Sequence, residues 1–279
     1  MRDAPRLIDL QHIGHEGEIG VWVAGDVLVD CGPTTCLPRL MAELENVRPR
    51  VLLLSHIHLD HAGAAGALVE RWPDLEIQVH PVGLTHLADP AKLERSAGRL
   101  YGDDLVRLWG DIKPVPERNL RPIAHGAHVD GFLAAHTPGH ASHHVAFFHE
   151  ESGYAFPGDA AGVRLGGSDL IMPHAPPPDI DLEAWDRSLD LIARWGAQAL
   201  CLPHFGAITD VDVHLERTRD ALHRKAELAR TLSLRDFVAE IESELAGLGD
   251  RQLAERYRHT SPPEHMHLGL QRYWDKQST

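Results

Sequence analysis

Six residues, His56-Ile57-His58-Leu59-Asp60-His61, set four groups able to bind a metal on one short stretch of chain. They follow Val51-Leu52-Leu53-Leu54, a continuous apolar run that reads as a strand buried on both faces. In an extended segment, side chains two apart share a face, so His56 and His58 can grip one ion. Asp60 and His61, where the chain turns into the next helix, can face a second. The fold must therefore end a buried strand at a polar site and bring further ligands there. A polar surface turn is the plainer alternative. Ala62-Gly63-Ala64-Ala65-Gly66 argues against it, because residues this small suit close backbone packing around a site.

Three later motifs each place a further ligand type at a strand end. Thr137-Pro138-Gly139-His140 offers an imidazole held by a Pro-Gly turn, Phe156-Pro157-Gly158-Asp159 a carboxylate, and Pro203-His204-Phe205-Gly206 another imidazole. A lone Asp in such a place usually makes a turn or a helix cap. Order and placement together make chance a poor explanation for all four motifs. His143 and His144 read as structural positions on the strand after His140, one facing out and one facing the site from behind. Imidazole with carboxylate suits zinc, with iron and manganese also compatible.

Hydrophobic periodicity organises the rest. Residues 7–29 read as antiparallel strands joined at glycines, and Thr34 or Thr35 as the cap of a helix reaching Asn46. A helix over 62–71, a strand over 76–80 and a helical stretch over 81–109 follow. Strands are expected at 121–124, 132–137, 145–149, 154–157 and 199–202, and a helix at 181–194. The Gly- and Pro-rich stretch 163–180 reads as a loop over the site. After Phe205 only helical patterns remain, at 211–230, 233–248, 250–258 and 264–274. This gives a layered α/β arrangement with residues 1–208 as catalytic domain and 209–279 as a helical region. The tail's apolar positions Leu215, Leu222, Leu228, Phe237, Ile241 and Leu245 need a surface to cover, on the main domain or on a partner subunit.

Acidic residues exceed basic ones by 41 − 27 = 14, a surface that repels phosphate backbones, and no local basic patch offsets it. Nucleic acid is therefore not an expected partner. No apolar run is long enough to span a bilayer, and the N-terminus lacks the pattern of an export signal, so the expected location is the cytoplasm. Cys31, Cys36 and Cys201 sit in no CxxC and are expected to stay reduced. The remaining expected partners are a small-molecule substrate and, at most, a second copy of the chain in a homodimer.

The series SHIHLDH, TPGH, PGD and PHFG resembles the metallo-β-lactamase superfamily, nearest to its glyoxalase II and acyl-homoserine lactonase branch. The resemblance covers residues from about 15 to 207. It implies a four-layer αββα sandwich with a C-terminal helical extension, and a site at one edge of two sheets. It also implies two divalent ions, zinc first, with iron or manganese as alternatives. His56, His58 and His140 would hold one, Asp60, His61 and His204 the other, and Asp159 would bridge them. Asp30, in Val-Asp-Cys-Gly, would orient ligands from behind, the alternative being a plain strand-end turn. Gly162 stands three residues after Asp159, where the lactonases typically carry a substrate-contacting tyrosine.

The activity implied is hydrolysis of an ester, thioester or lactone of a small molecule by hydroxide formed between the two ions, with Asp60 both ligand and proton carrier. Phosphodiester or β-lactam hydrolysis is one alternative. Iron-dependent sulfur oxidation of the persulfide dioxygenase kind is another. Tyr101, Ile171, His174 and Phe205 fall in segments expected to rim the site, and each could equally be a packing position.

Overall fold

Short apolar strands, the central ones buried at nearly every position, set the architecture of the computed structural model, which describes residues 4–278. One six-stranded sheet runs, in spatial as in chain order, through β1 (Arg6–Asp9), β2 (Gly20–Ala24), β3 (Val27–Val29), β4 (Val51–Leu53), β5 (Glu76–Val79) and β6 (Leu120–Pro122). The second contains β7 (His128–Val129), β8 (Phe132–His136), β9 (Val145–His149), β10 (Tyr154–Phe156), β11 (Ala199–Leu202) and β12 (Gly206–Ile208), with β12 and β7 at its edges. From β3 to β6 the pairing is parallel, with helices carrying the chain back after β4 and β5. Such strands are covered on both faces, which is why β4 has no polar residue.

Side chains of adjacent strand residues point to opposite faces, and the cores divide accordingly. Val27, Val29, Val51 and Leu53 meet Phe132, Phe147 and Phe156 between the two sheets. Leu28, Leu52 and Leu54 lie on the outer face of the first sheet. Covering that face are α1 (Leu37–Glu43), α2 (Leu59–Ala62), α3 (Ala65–Arg71), α4 (Pro81–Ala88), α5 (Ala91–Tyr101) and α6 (Leu105–Trp109). Ala146, Ala155, Leu200 and Leu202 face outward from the second sheet onto α7 (Leu182–Ala193). The result is the expected αββα sandwich.

The C-terminal helices are α8 (Val211–Thr231), α9 (Leu234–Ala246), α10 (Arg251–Thr260) and α11 (Pro263–Gln277). Their Leu215, Leu222, Phe237, Ile241 and Leu245 belong to the same buried cluster as Trp185 and Leu202, so within the chain the tail covers the second sheet's helical layer. It also clamps the irregular 163–180 stretch. Tyr257 donates to the Leu170 carbonyl at 2.6 Å and accepts from Leu165 N–H at 2.9 Å, and Ser261 donates to the Pro173 carbonyl at 3.1 Å. Gly269 lies so close that a Cβ there would sit 2.1 Å from the Ala175 oxygen.

Several sequence expectations need correction. A strand, β12, follows Phe205, where only helices were expected; at three residues it is too short to show a period. β7, at two residues, was also missed. Neither Thr34 nor Thr35 caps a helix. Thr34 instead donates to the Gly63 and Asp111 carbonyls and Thr35 to that of Leu108. The helical stretch 81–109 is three helices, broken by Pro90 and by Gly102 at φ +52°. His143 and His144 precede β9 and do not lie on it. All three cysteines are free and buried.

Candidate metal centre

The site forms where β4, β8, β10 and β11 end on one edge of the sandwich. β4 runs out at Leu53, and α2 begins at Leu59, so His56 and His58 lie on the extended link while Asp60 and His61 sit on the helix's first turns. His140 follows β8, Asp159 follows β10 and His204 follows β11. All seven sequence-predicted site residues converge, in two groups: His56 with His58 and His140, and Asp60 with His61, Asp159 and His204.

In the first group, His56 Nε2, His58 Nδ1 and His140 Nε2 lie 3.0, 3.0 and 3.2 Å apart. Each ring nitrogen either carries a proton or does not, so among three at least two are alike and cannot hydrogen-bond. A single point off their plane lies about 2.0–2.1 Å from all three, the Zn–N bond length. Burial, reinforced by neighbouring imidazoles, pushes His56 and His140 well below the ordinary histidine range and His58 down to about 3. These rings are neutral at pH 7, the form that binds metal.

In the second group, Asp159 Oδ1 is 3.2 Å from His61 Nε2 and 3.5 Å from His204 Nε2, and Asp60 Oδ2 is 3.5 Å from each of the same nitrogens. The other Asp159 oxygen, Oδ2, turns to the first group, 3.6 Å from His140 Nε2 and 3.9 Å from His56 Nε2. Burial opposes the charge on Asp159 and Asp60, but the His61 and His204 imidazoles outweigh it and hold both carboxyls well below their usual range. For His61 burial works downward, yet Asp159, Asp60 and Asp30 together lift it well above its ordinary value. The proton so favoured occupies the position an ion would take.

Asp159 is buried with neither carboxylate oxygen hydrogen-bonded, and His61 Nε2 and His204 Nε2 also lack a partner. Buried polar atoms left unpaired in this number call for a ligand between them. With their charge and spacing, the residues fit two divalent cations.

The outward nitrogens are tied down, which sets the tautomers. His140 Nδ1 donates to the His174 carbonyl and His204 Nδ1 to that of Glu18, both at 2.6 Å. A carbonyl only accepts, so in the neutral rings Nε2 presents its lone pair inward. His61 Nδ1 donates to Asp30 Oδ2 at 2.9 Å, and Asp30 also accepts from Ser55 N–H and Ser55 Oγ, each at 2.8 Å. Asp30, at φ +62°, is thus a support for the ligands as well as a strand-end turn. His144 Nε2 accepts from the Asp159 N–H at 3.2 Å while its Nδ1 meets Thr137 Oγ1 at 2.8 Å, so it braces Asp159 without reaching the ion positions.

Two cavities flank the centre, of about 220 and 590 Å³, and share Asp60, Leu100, Tyr101 and His174 as walls. Tyr101 and His174 therefore rim the site as expected. Ile171 and Phe205 line neither cavity and act in packing. Glu18 and Ser55 escaped the sequence reading; Ser55's place directly before His56 was the only signal for either.

The fold and these clusters agree with what comparison finds. Residues 23–204 match the family model described as Metallo-beta-lactamase superfamily. The chain belongs to that superfamily. A hydroxyacylglutathione hydrolase of Xanthomonas euvesicatoria pv. vesicatoria (strain 85-10) is 25% identical over 68% of this chain, which spans 62% of that relative, less than two thirds of its length. A metallo-beta-lactamase family protein of Thermus thermophilus superposes with a TM-score of 0.68 at 22% identity, covering 98% of this chain and 94% of its own. The helical extension is thus part of a fold seen elsewhere. TTHA1623, solved in a di-iron-bound form, superposes with a TM-score of 0.52 at 28% identity over 67% of this chain and 86% of its own.

The chain has the metallo-β-lactamase fold of an enzyme superfamily, and its histidine and aspartate clusters suit divalent metal. Gly162, three residues after Asp159, adopts φ +68°, and a Cβ there would meet the Met172 oxygen at 3.0 Å. Any side chain at that position would strain the backbone. Among the described residues no helix is long and apolar enough to cross a membrane.

Proposed function

We propose that the protein hydrolyses a carbonyl ester, foremost a thioester, of a small molecule, using two divalent ions held by His56, His58 and His140 and by Asp60, His61 and His204. The observation that carries this reading is Asp159, whose two unpaired carboxylate oxygens face one cluster each. Two bound ions supply a water of lowered pKa and a Lewis acid for the carbonyl oxygen. Asp60 is placed to receive and return the proton, since Oδ2 lies between His61 and His204 while the residue borders both cavities.

The cavities divide the substrate. The smaller is lined by Ile57, Leu59, Val82, Leu93 and Ala97 together with His86, Lys92 and Asp179, and its smaller volume suits a short acyl group. The larger carries His12, Arg107, Arg258 and other polar groups and suits a polar leaving thiol or alcohol. The hydroxyacylglutathione hydrolase relative supports the thioester over the other leaving groups. The formal net charge of −14 weighs against phosphodiesters.

The test is a parallel screen of metal-loaded protein against thioesters, esters, lactones, phosphodiesters and β-lactams. Thioester kcat/KM is expected to lead, with Asp60→Asn strongly impaired. A phosphodiester or β-lactam as the best substrate would overturn the reading, as would persulfide-dependent oxygen uptake by iron-loaded protein without any hydrolysis.

A further inference from the structure

The larger cavity has a second group of ligand types on its wall, apart from the seven residues of the metal centre. His15, from the turn before β2, and His259, from α10, face Glu18. Glu18 Oε1 is 3.5 Å from His259 Nδ1 and 3.9 Å from His15 Nδ1, and the three ligand atoms lie within 4.8 Å of one another. The two rings meet edge to face with centroids 4.7 Å apart.

Glu18 is the informative member. Its side chain is only 2% exposed, and Oε1 has no hydrogen-bond partner. A carboxylate buried in this way costs several kcal/mol unless something pairs with it. Burial raises Glu18 to about 7, and the charge of Arg256, which donates through Nη2 to the Gly17 carbonyl at 2.7 Å and not to Glu18, offsets this only in part. The rings that approach Glu18 are half-exposed, 38% for His15 and 37% for His259, so the group opens to solvent on the cavity side. Burial and the neighbouring His15 both push His259 downward, leaving a neutral ring with a free lone pair.

We propose that His15, Glu18 and His259 form a third divalent-metal site on the wall of the larger cavity. Two imidazoles and one carboxylate are a ligand set zinc takes in hydrolytic enzymes, with the remaining position left to water. The present ligand spacing is wider than a bound ion requires, so the half-exposed rings must close by about 1 Å, a side-chain adjustment. Binding is accordingly weaker than at the buried centre. An ion here joins the N-terminal sheet to the tail through α10. It also stiffens the segment whose Glu18 carbonyl holds His204.

The experiment is equilibrium dialysis of the untagged full-length protein against graded zinc at pH 8, with bound metal read by elemental analysis. His259→Ala and His15→Ala, both at half-exposed positions, are the primary variants, and Glu18→Gln is a third. The wild type is expected to take up one more equivalent of zinc than each variant, whatever number the main centre holds. Cobalt uptake should show the same difference in visible absorption. Equal uptake by wild type and both histidine variants across the micromolar range would overturn the proposal, even if the main centre binds two ions. Loss of the extra equivalent in all three variants would support it, even if the main centre proved to hold only one.

Discussion

Replacing Asp30 by asparagine exchanges one oxygen for an amide nitrogen, and the consequences reach the metal centre through a single ring. Asp30 accepts three hydrogen bonds, from Ser55 N–H, Ser55 Oγ and His61 Nδ1. In the variant the remaining oxygen must stay on the Ser55 N–H, a buried donor that would otherwise go unpaired. The new NH₂ then points at His61 Nδ1, two donors face each other, and the ring proton moves to Nε2. That is the nitrogen 3.2 Å from Asp159 Oδ1, where an ion must bind. A hydrogen bond to a charged group is worth about 1.5–3 kcal/mol. At about 1.4 kcal/mol per decade, affinity at the Asp60, His61, Asp159 and His204 cluster should fall about 10–100-fold. The His56, His58 and His140 cluster should hold its ion nearly as before. Competition with a chromophoric chelator resolves the two affinities. Two constants within about twofold of the wild type would refute the argument that Asp30 sets the His61 tautomer.

Other changes test other links. His58→Ala should lose one ion and hydrolytic activity together, as elemental analysis beside a rate measurement will show. In Gly139→Ala a Cβ would lie 2.4 Å from the Trp185 Cα, so a loss of about 1–3 kcal/mol, read as a lower melting temperature, is expected along with displaced His140. Leu222→Ala empties a fully buried position between the tail and the sandwich and should cost about 2–5 kcal/mol in denaturant unfolding. His214 is buried with Nε2 on the Ala161 carbonyl at 2.9 Å, and burial pushes it down to about 4. Its folded value lies below its unfolded one, so the stability it contributes is complete above about pH 6.5 and is lost as pH falls toward 4. His214→Gln should remove that part of the acid sensitivity, and an unchanged pH profile of melting would contradict this.

Much of the site was legible because its chemistry is concentrated at strand ends. His56, His58, Asp60 and His61 could be read from spacing alone, since a two-residue period in extended chain already decides which side chains share a face. His140, Asp159 and His204 could be picked out as ligand types at strand ends, but their division between two ions needed the resemblance, because nothing local brings three strand ends together. Glu18 was hidden for a different reason. It acts through its backbone carbonyl on His204, a role that leaves no mark on residue type, and its burial follows from the arrival of α10 more than two hundred residues later. For Ile171 and Phe205 the sequence left rim and packing equally open, because proximity in sequence to the site says nothing about which way a side chain points. β12 and β7 were missed because two or three residues carry no period. The tail's role was readable only in part: apolar spacing showed that α8 and α9 must cover something, whereas the clamp of Tyr257 and Ser261 on the loop carrying His174 depends on contacts made across the fold.

The central claim is that two ions, bridged by Asp159, act together in hydrolysis. It is tested most directly by adding zinc, iron(II) or manganese(II) stepwise to metal-free protein while following hydrolysis of a thioester. The account predicts that with at least one of these metals the rate rises until two equivalents have bound to the main centre and is then complete. Full activity at one equivalent, or no hydrolysis with any metal at two, would contradict it.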